Sequence, residues 1–212
     1  MIITGKEAEA YCTTMSQDEP SYLYAINRDT QAHVIQPRML SGHFQGRILS
    51  LLSHLIQPQY ILEIGTYTGY SALCLAEGMQ KNGRLFSIDA NEEMISKAEK
   101  NIANTHFSSA ITLIQGQAAE EIPKLDYQFD LVFIDADKLN YKLYFDLVID
   151  KVRPNGLLLC DNVLWDTKVF DPTKQDTTTQ YLKEFNQKIK DDSRVQSVLL
   201  PIRDGLYVSR KV

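Results

Sequence analysis

Four acidic residues stand at or beside the ends of apolar runs: Glu63 after Ile61-Leu62, Asp89 after Ile88, Asp135 after Leu131–Ile134, and Asp161 after Leu157–Cys160. If those runs are parallel strands, the acids share the edge of the sheet where α/β proteins bind ligands. Carboxylates gathered there repel one another unless hydroxyls or cations offset them. Asp135, Asp161 and Asn162 form an oxygen-only set that suits Mg²⁺, Ca²⁺ or Mn²⁺. It suits zinc poorly, because no cysteine or histidine accompanies it. The two aspartates could equally cap the segments that follow them. Lys138, three residues beyond Asp135, is a candidate base or a solvated lysine at a helix start, where a cation is unfavourable.

A second constellation is Ile61-Leu62-Glu63-Ile64-Gly65-Thr66-Tyr67-Thr68-Gly69-Tyr70-Ser71. It reads as a strand, a glycine turn and a helix N-terminus. Gly65 and Gly69, lacking a Cβ, let backbone approach a ligand closely. The spacing is not the dinucleotide pattern G-x-G-x-x-G, and an acid stands where a pyrophosphate would sit, so a cationic ligand fits better than a polyanion. Asp89 lies roughly 20 residues on, the place of an acid that accepts from ribose hydroxyls. Capping the helix at Asn91 is its other reading.

The elements that must position these residues follow from periodicity. Residues 1–57 read as helical, and Ile48, Leu51, Leu52, Leu55 and Ile56 mark an apolar stripe that ends at Gln57-Pro58. Strands are expected at Tyr60–Ile64, Arg84–Asp89, Ile111–Gln115, Phe129–Asp135 and Leu157–Asp161, with a closing hairpin of Val195–Pro201 and Gly205–Arg210. Helices are expected at Ser71–Met79, from Asn91, at Tyr141–Val152 and at Thr178–Lys190. The alternation predicts an α/β fold with a doubly wound, mostly parallel sheet and extra N-terminal helices.

The 212 residues, 44% hydrophobic and 23% charged, suit one domain, 1–212, with a helical segment 1–57 over an α/β core 58–212. A net charge of −5 argues against nucleic acid or an anionic membrane as partner. The three cysteines, Cys12, Cys74 and Cys160, lie far apart without metal spacing, which favours reduced thiols and a cytoplasmic setting. Cys74 and Cys160 sit in apolar runs and read as buried. The start, Met1 to Glu7, shows no secretory leader, and no run is long enough to span a membrane.

Four motifs carry a resemblance over about 36–212: Leu62–Ser71, Ile88-Asp89, Phe133-Ile134-Asp135-Ala136-Asp137-Lys138-Leu139-Asn140-Tyr141, and Asp161-Asn162-Val163-Leu164-Trp165. The chain resembles the metal-dependent class I O-methyltransferases that use S-adenosylmethionine, such as the catechol and caffeoyl-CoA enzymes and their small bacterial relatives. The resemblance implies a seven-stranded sheet whose last strand runs antiparallel. It implies a cofactor site of Met39, Ser41, Glu63, Gly65, Tyr67, Ser71, Asp89, Ala90, Gln117, Ala118 and Asp135. It implies Asp135, Asp161 and Asn162 as ligands of a divalent cation, most simply Mg²⁺. Lys138 with Asp135 would be catalytic, and Lys138 and Trp165 would meet the substrate. A small aromatic acceptor with adjacent hydroxyls and a homodimer are implied as well. Three residues depart from the family pattern: His43, Arg47 and Arg203.

Other residues carry less. Tyr22, Tyr24, Phe44 and Trp165 are candidates for an aromatic pocket wall. His33, His43, His54 and His106 lack mutual metal spacing and read as structural. A nicotinamide-dependent oxidoreductase would need the G-x-G-x-x-G loop that is absent.

Overall fold

The computed structural model describes residues 6–212; most of the start, on which the expectation of no leader rests, lies outside them. Three helices come first: α1 (Lys6–Met15), α2 (Ser21–His33) and α3 (Gly42–Ile56). Strands and helices then alternate as β1 (Tyr60–Ile64), α4 (Tyr70–Ala76), β2 (Arg84–Asp89), α5 (Glu92–Ala103), β3 (Ile111–Gln115), α6 (Ala118–Glu121), β4 (Phe129–Ile134), α7 (Tyr141–Val148) and β5 (Val152–Asp161). The chain closes with α8 (Thr177–Asp191), β6 (Val195–Leu200) and β7 (Leu206–Lys211). Among the described residues, no helix is long and apolar enough to cross a membrane.

The seven strands form one sheet in the order β3-β2-β1-β4-β5-β7-β6. β1 to β5 pair in parallel, and β7 runs antiparallel to both β5 and β6. The doubly wound architecture expected from the alternation is therefore present. Strand side chains alternate between the faces. Leu62, Phe86, Val132 and Leu158 enter one core with α7 and α8, and Ile61, Leu85, Leu131 and Leu159 the other with α2 and α4. This is why β4 is apolar throughout its centre, with every residue buried. A fully buried side chain of this kind contributes about 1.5–3 kcal/mol.

Three local expectations need correction. The apolar stripe of α3 faces the core only in part: Ile48 and Leu52 pack against it, but Leu51 is 60% and Leu55 73% exposed, while Gln45, Gly46, Leu49, Ser50 and Ser53 are buried. Small residues win because α3 lies very close to α4. A Cβ on Gly46 would sit 2.8 Å from the Tyr70 ring, and Ser53 Oγ donates to the Leu75 carbonyl at 2.5 Å. The helix expected to run to Met79 stops at Ala76, where Gly78 meets the backbone of Ser53 and His54. The helix expected at Tyr141–Val152 ends at Val148, and after one tight turn Val152 already begins β5.

Candidate functional site

The strand order reverses between β1 and β4, and a cavity of about 890 Å³ opens there at the carboxyl ends of the strands. Its volume lies near the top of the roughly 300–1,000 Å³ range of small-molecule sites, so two ligands fit side by side. Every site residue expected from sequence lines it except Glu63: Met39, Ser41, Gly65, Tyr67, Ser71, Asp89, Ala90, Gln117, Ala118, Asp135, Lys138, Asp161, Asn162 and Trp165.

One end is built by the loop after β1. Asp89 Oδ2 accepts from the backbone N–H groups of Thr66, at 3.0 Å, and Tyr67, at 2.9 Å, so the strand-end acid shapes the loop. Its Oδ1 accepts from Asn91 N at 2.9 Å. The cap of α5 is not Asp89 but Asn91, whose side chain accepts from Glu93 N and Met94 N. Tyr67 donates its hydroxyl to the Gln36 carbonyl at 3.0 Å and ties the N-terminal segment across the opening. Gly65 is left-handed (φ 100°), but its lack of a Cβ serves the fold: a Cβ would collide with the Asp135 carbonyl. Gly69 packs against Ala98 and Ile102 of α5. Gly65 also lines the cavity.

Glu63 points beneath this loop. It is fully buried and accepts from Ser71 Oγ and Ser87 Oγ, each at 2.5 Å. Burial, with smaller contributions from the charges of Asp135 and Asp89, pushes its carboxyl up to about 8. Burial thus works against its charge, while the two serine hydroxyls that it accepts from work for it. Ser71 connects it to the cavity directly, and Ser87 does so through Thr66.

The other end is a network of side chains. Ile134 pairs with Cys160, which sets Asp135 and Asp161 next to each other at the sheet edge. Lys138 Nζ donates to Asp135 Oδ1 at 2.9 Å and to the Tyr141 hydroxyl at 2.7 Å, and its side chain is only 11% exposed. It is therefore not a solvated lysine. Tyr141, fully buried, donates its own hydroxyl proton to the Asp161 carbonyl at 3.0 Å. Asp161 Oδ2 accepts from Gln45 Nε2 at 2.6 Å and Oδ1 from Asn162 N at 2.8 Å. Burial first, and the charge of Asp135 second, push the Asp161 carboxyl up to about 6.

The donors at this end are two carboxylates and an amide. The set fits a hard divalent cation. Among the described residues, no group of three or more histidine, cysteine, aspartate or glutamate side chains could hold a metal, so the fit rests on this smaller mixed set. Asn162 stands in the left-handed region (φ 57°), a conformation that asparagine tolerates better than most residues.

Some expectations are not met here. Of the four aromatic candidates only Trp165 reaches the cavity. Tyr22 bonds Glu77 at 2.9 Å, and Tyr24 is 54% exposed. None of the four histidines lines the cavity. Arg47 is spent on a two-point pair with Glu77, at 2.9 and 3.0 Å, and His43 on the Gln17 carbonyl at 2.8 Å. Arg203 alone of the three departures lines the cavity. Sequence reasoning missed Gln45 and Tyr141 as parts of the site. The leucine stripe of α3 points to the wrong face and hides Gln45, and a tyrosine at a helix start ordinarily reads as core, which hides Tyr141.

The fold and its edge cavity define a Rossmann-like methyltransferase architecture. The chain is similar over its full length to a Bacillus cereus O-methyltransferase solved with S-adenosylhomocysteine, at TM-score 0.89 and 28% identity, covering 100% of both chains. A Podospora anserina methyltransferase, also S-adenosylhomocysteine-bound, matches at TM-score 0.90 and 27% identity, over 97% of this chain and 94% of that one. In sequence, the chain is 35% identical to a catechol O-methyltransferase of Niastella koreensis, over 88% of this chain and 85% of the relative. It is 30% identical to a caffeoyl-CoA O-methyltransferase of Petroselinum crispum, over 94% and 88% respectively. The O-methyltransferase family profile matches residues 13–212, and the chain belongs to that family, a class of enzymes that transfer methyl groups to oxygen.

Proposed function

We propose that this chain is a divalent-metal-dependent O-methyltransferase that uses S-adenosylmethionine to methylate a hydroxyl of a small catechol-type or caffeoyl-like aromatic acceptor. The observation that carries this reading is the contact of Lys138 with Asp135, beside Asp161 and Asn162, in the same cavity as the Asp89-held loop. The names of the relatives support it. In this reading 1–212 is one methyltransferase domain, 1–57 covering the site and 58–212 forming the core. The protein works in the cytoplasm, and pairs as a homodimer.

S-adenosylmethionine, held by Met39, Ser41, Gly65, Tyr67, Ser71, Asp89, Ala90, Gln117 and Ala118, supplies an electrophilic methyl carbon. A divalent cation, held by Asp135, Asp161 and Asn162, supplies positive charge that favours ionisation of an aromatic hydroxyl, which ordinarily titrates near 10. Lys138 Nζ, once it has released a proton to solvent and is uncharged, takes the hydroxyl proton, and Tyr141 fixes Nζ at the cavity wall. With its proton held by Lys138, the acceptor oxygen would be ready to receive the methyl group that the bound cofactor would supply. Trp165 walls the acceptor side and orients the ring, which is a proximity contribution. The test is methyl transfer from labelled S-adenosylmethionine to catechol and caffeate, with the product identified by mass. A methyl ether supports the reading; binding of the cofactor without transfer to either compound moves the acceptor outside simple catechols.

A further inference from the structure

Arg203 occupies the turn between β6 and β7 in the left-handed region (φ 47°), a conformation that costs an L residue strain. Strain of this kind persists where surrounding contacts over-determine it, commonly at functional positions. Here the contacts lie at one end of the cavity. Arg203 Nη1 donates to the Ser41 carbonyl and to Gln45 Oε1, the latter at 3.2 Å, and Gln45 in turn donates to Asp161. The turn is also joined to the Trp165 loop: Leu164 N donates to the Asp204 carbonyl at 2.8 Å and Val163 N to the Gly205 carbonyl at 3.2 Å. Arg203 thus joins the Trp165 loop to Ser41 and, through Gln45, to Asp161.

The guanidinium is only partly used. Its Nε lies 4.0 Å from Glu9 Oε1, a half-exposed carboxylate, and such a pair contributes little. Among the described residues, Nη2 has no hydrogen-bond acceptor. The side chain is 26% exposed and lines the cavity. A partly desolvated guanidinium, anchored on one nitrogen and open on another, matches a carboxylate in charge and in planar geometry.

We propose that Arg203 is a specificity residue of the acceptor site and selects aromatic acceptors that carry a carboxylate as well as adjacent hydroxyls; this rests on the O-methyltransferase reading above. The cofactor also has a carboxylate, and the test separates the two sources. Initial rates are measured with catechol and with 3,4-dihydroxybenzoate, which differ by that one group, for the wild type, Arg203→Lys and Arg203→Gln. Calorimetry gives S-adenosylmethionine affinity for each. The wild type should prefer the acid. Arg203→Gln, which can keep a bond to Ser41 or Gln45 but loses the charge, should lower the acid-to-catechol ratio of kcat/KM at least tenfold, chiefly through KM. Arg203→Lys should retain part of the preference. An unchanged ratio, or an equal loss on both acceptors, overturns the proposal and leaves Arg203 as a support for Ser41 and Gln45. Weakened S-adenosylmethionine binding with an unchanged ratio also overturns it and assigns the guanidinium to the cofactor. If the wild type methylates neither compound, the catechol reading fails separately. Direct binding of the two compounds, with S-adenosylhomocysteine present, then decides: tighter binding of the acid that Arg203→Gln abolishes supports the proposal, and equal binding overturns it.

Discussion

The two ends of the cavity hold their shape by different means. At the Asp89 end a carboxylate grips backbone N–H groups of the loop after β1, and the acid beneath that loop, Glu63, is withdrawn from the cavity, where burial raises its pKa. At the Asp161 end side chains bond side chains: Arg203 to Gln45, Gln45 to Asp161, Lys138 to Asp135 and Tyr141. A backbone cradle tolerates variation in the residues around it, whereas a side-chain network depends on each member. In the proposed reaction the first end binds and the second end does the chemistry.

Substitutions separate the two. The largest effect is expected from Lys138→Ala, which removes the proton acceptor. Turnover should fall by about 10²–10⁴-fold, while calorimetric S-adenosylmethionine affinity stays nearly unchanged. A matching loss of cofactor binding would erase the distinction between the ends. Next, Asp161→Ala removes one donor of the metal set. Mg²⁺ or Mn²⁺ affinity, titrated directly, should drop by at least the roughly 10–100-fold that follows from disturbing a ligand's own partners. Unaltered metal affinity would place the cation elsewhere.

A smaller effect, on the other end, is expected from Asp89→Ala. Three backbone N–H groups lose their acceptor. The two part-buried donors, Thr66 N and Tyr67 N, each cost about 1–3 kcal/mol when left without a partner, whereas the exposed Asn91 N can turn to water. Cofactor affinity and melting temperature should both fall, with less effect on the chemical step measured at saturating cofactor.

The smallest effect on activity belongs to Glu63→Gln, which changes stability in a way that depends on pH. The Glu63 carboxyl is raised from 4.5 to about 8 in the folded state. Between those values the folded chain binds more protons than the unfolded one, so wild-type stability falls as pH rises through that window, and the loss is complete above about 8. Glutamine has no such titration. Urea denaturation at pH 5 and pH 9 should show the wild type losing ground to Glu63→Gln by on the order of a few kcal/mol. A pH-independent difference would mean that Glu63 stays ionised and that the loop is anionic after all.

Much of the fold is legible in the sequence because buried parallel strands must be apolar on both faces, and β1, β2, β4 and the second half of β5 follow that rule. The acids at their ends stand out for the same reason: a charge that closes an apolar run serves a site or a cap, since the core itself excludes it. The face of α3 is not legible. Periodicity locates the helix, but close packing on α4 favours Gly46, Ser50 and Ser53 over the leucines. The role of Glu63 is hidden because sequence shows an acid beside a loop and not the direction of its side chain. Gln45 and Arg203 act through contacts between positions more than 100 residues apart, which no local pattern encodes.

The central claim is that the Asp161 end works with a divalent cation in methyl transfer to oxygen. The most direct test is transfer from labelled S-adenosylmethionine to a catechol acceptor by the wild-type protein, first stripped with chelator and then given Mg²⁺. The account predicts no product after stripping, product on addition of Mg²⁺, and S-adenosylmethionine binding in both states. Product at the same rate in the chelated protein would contradict it.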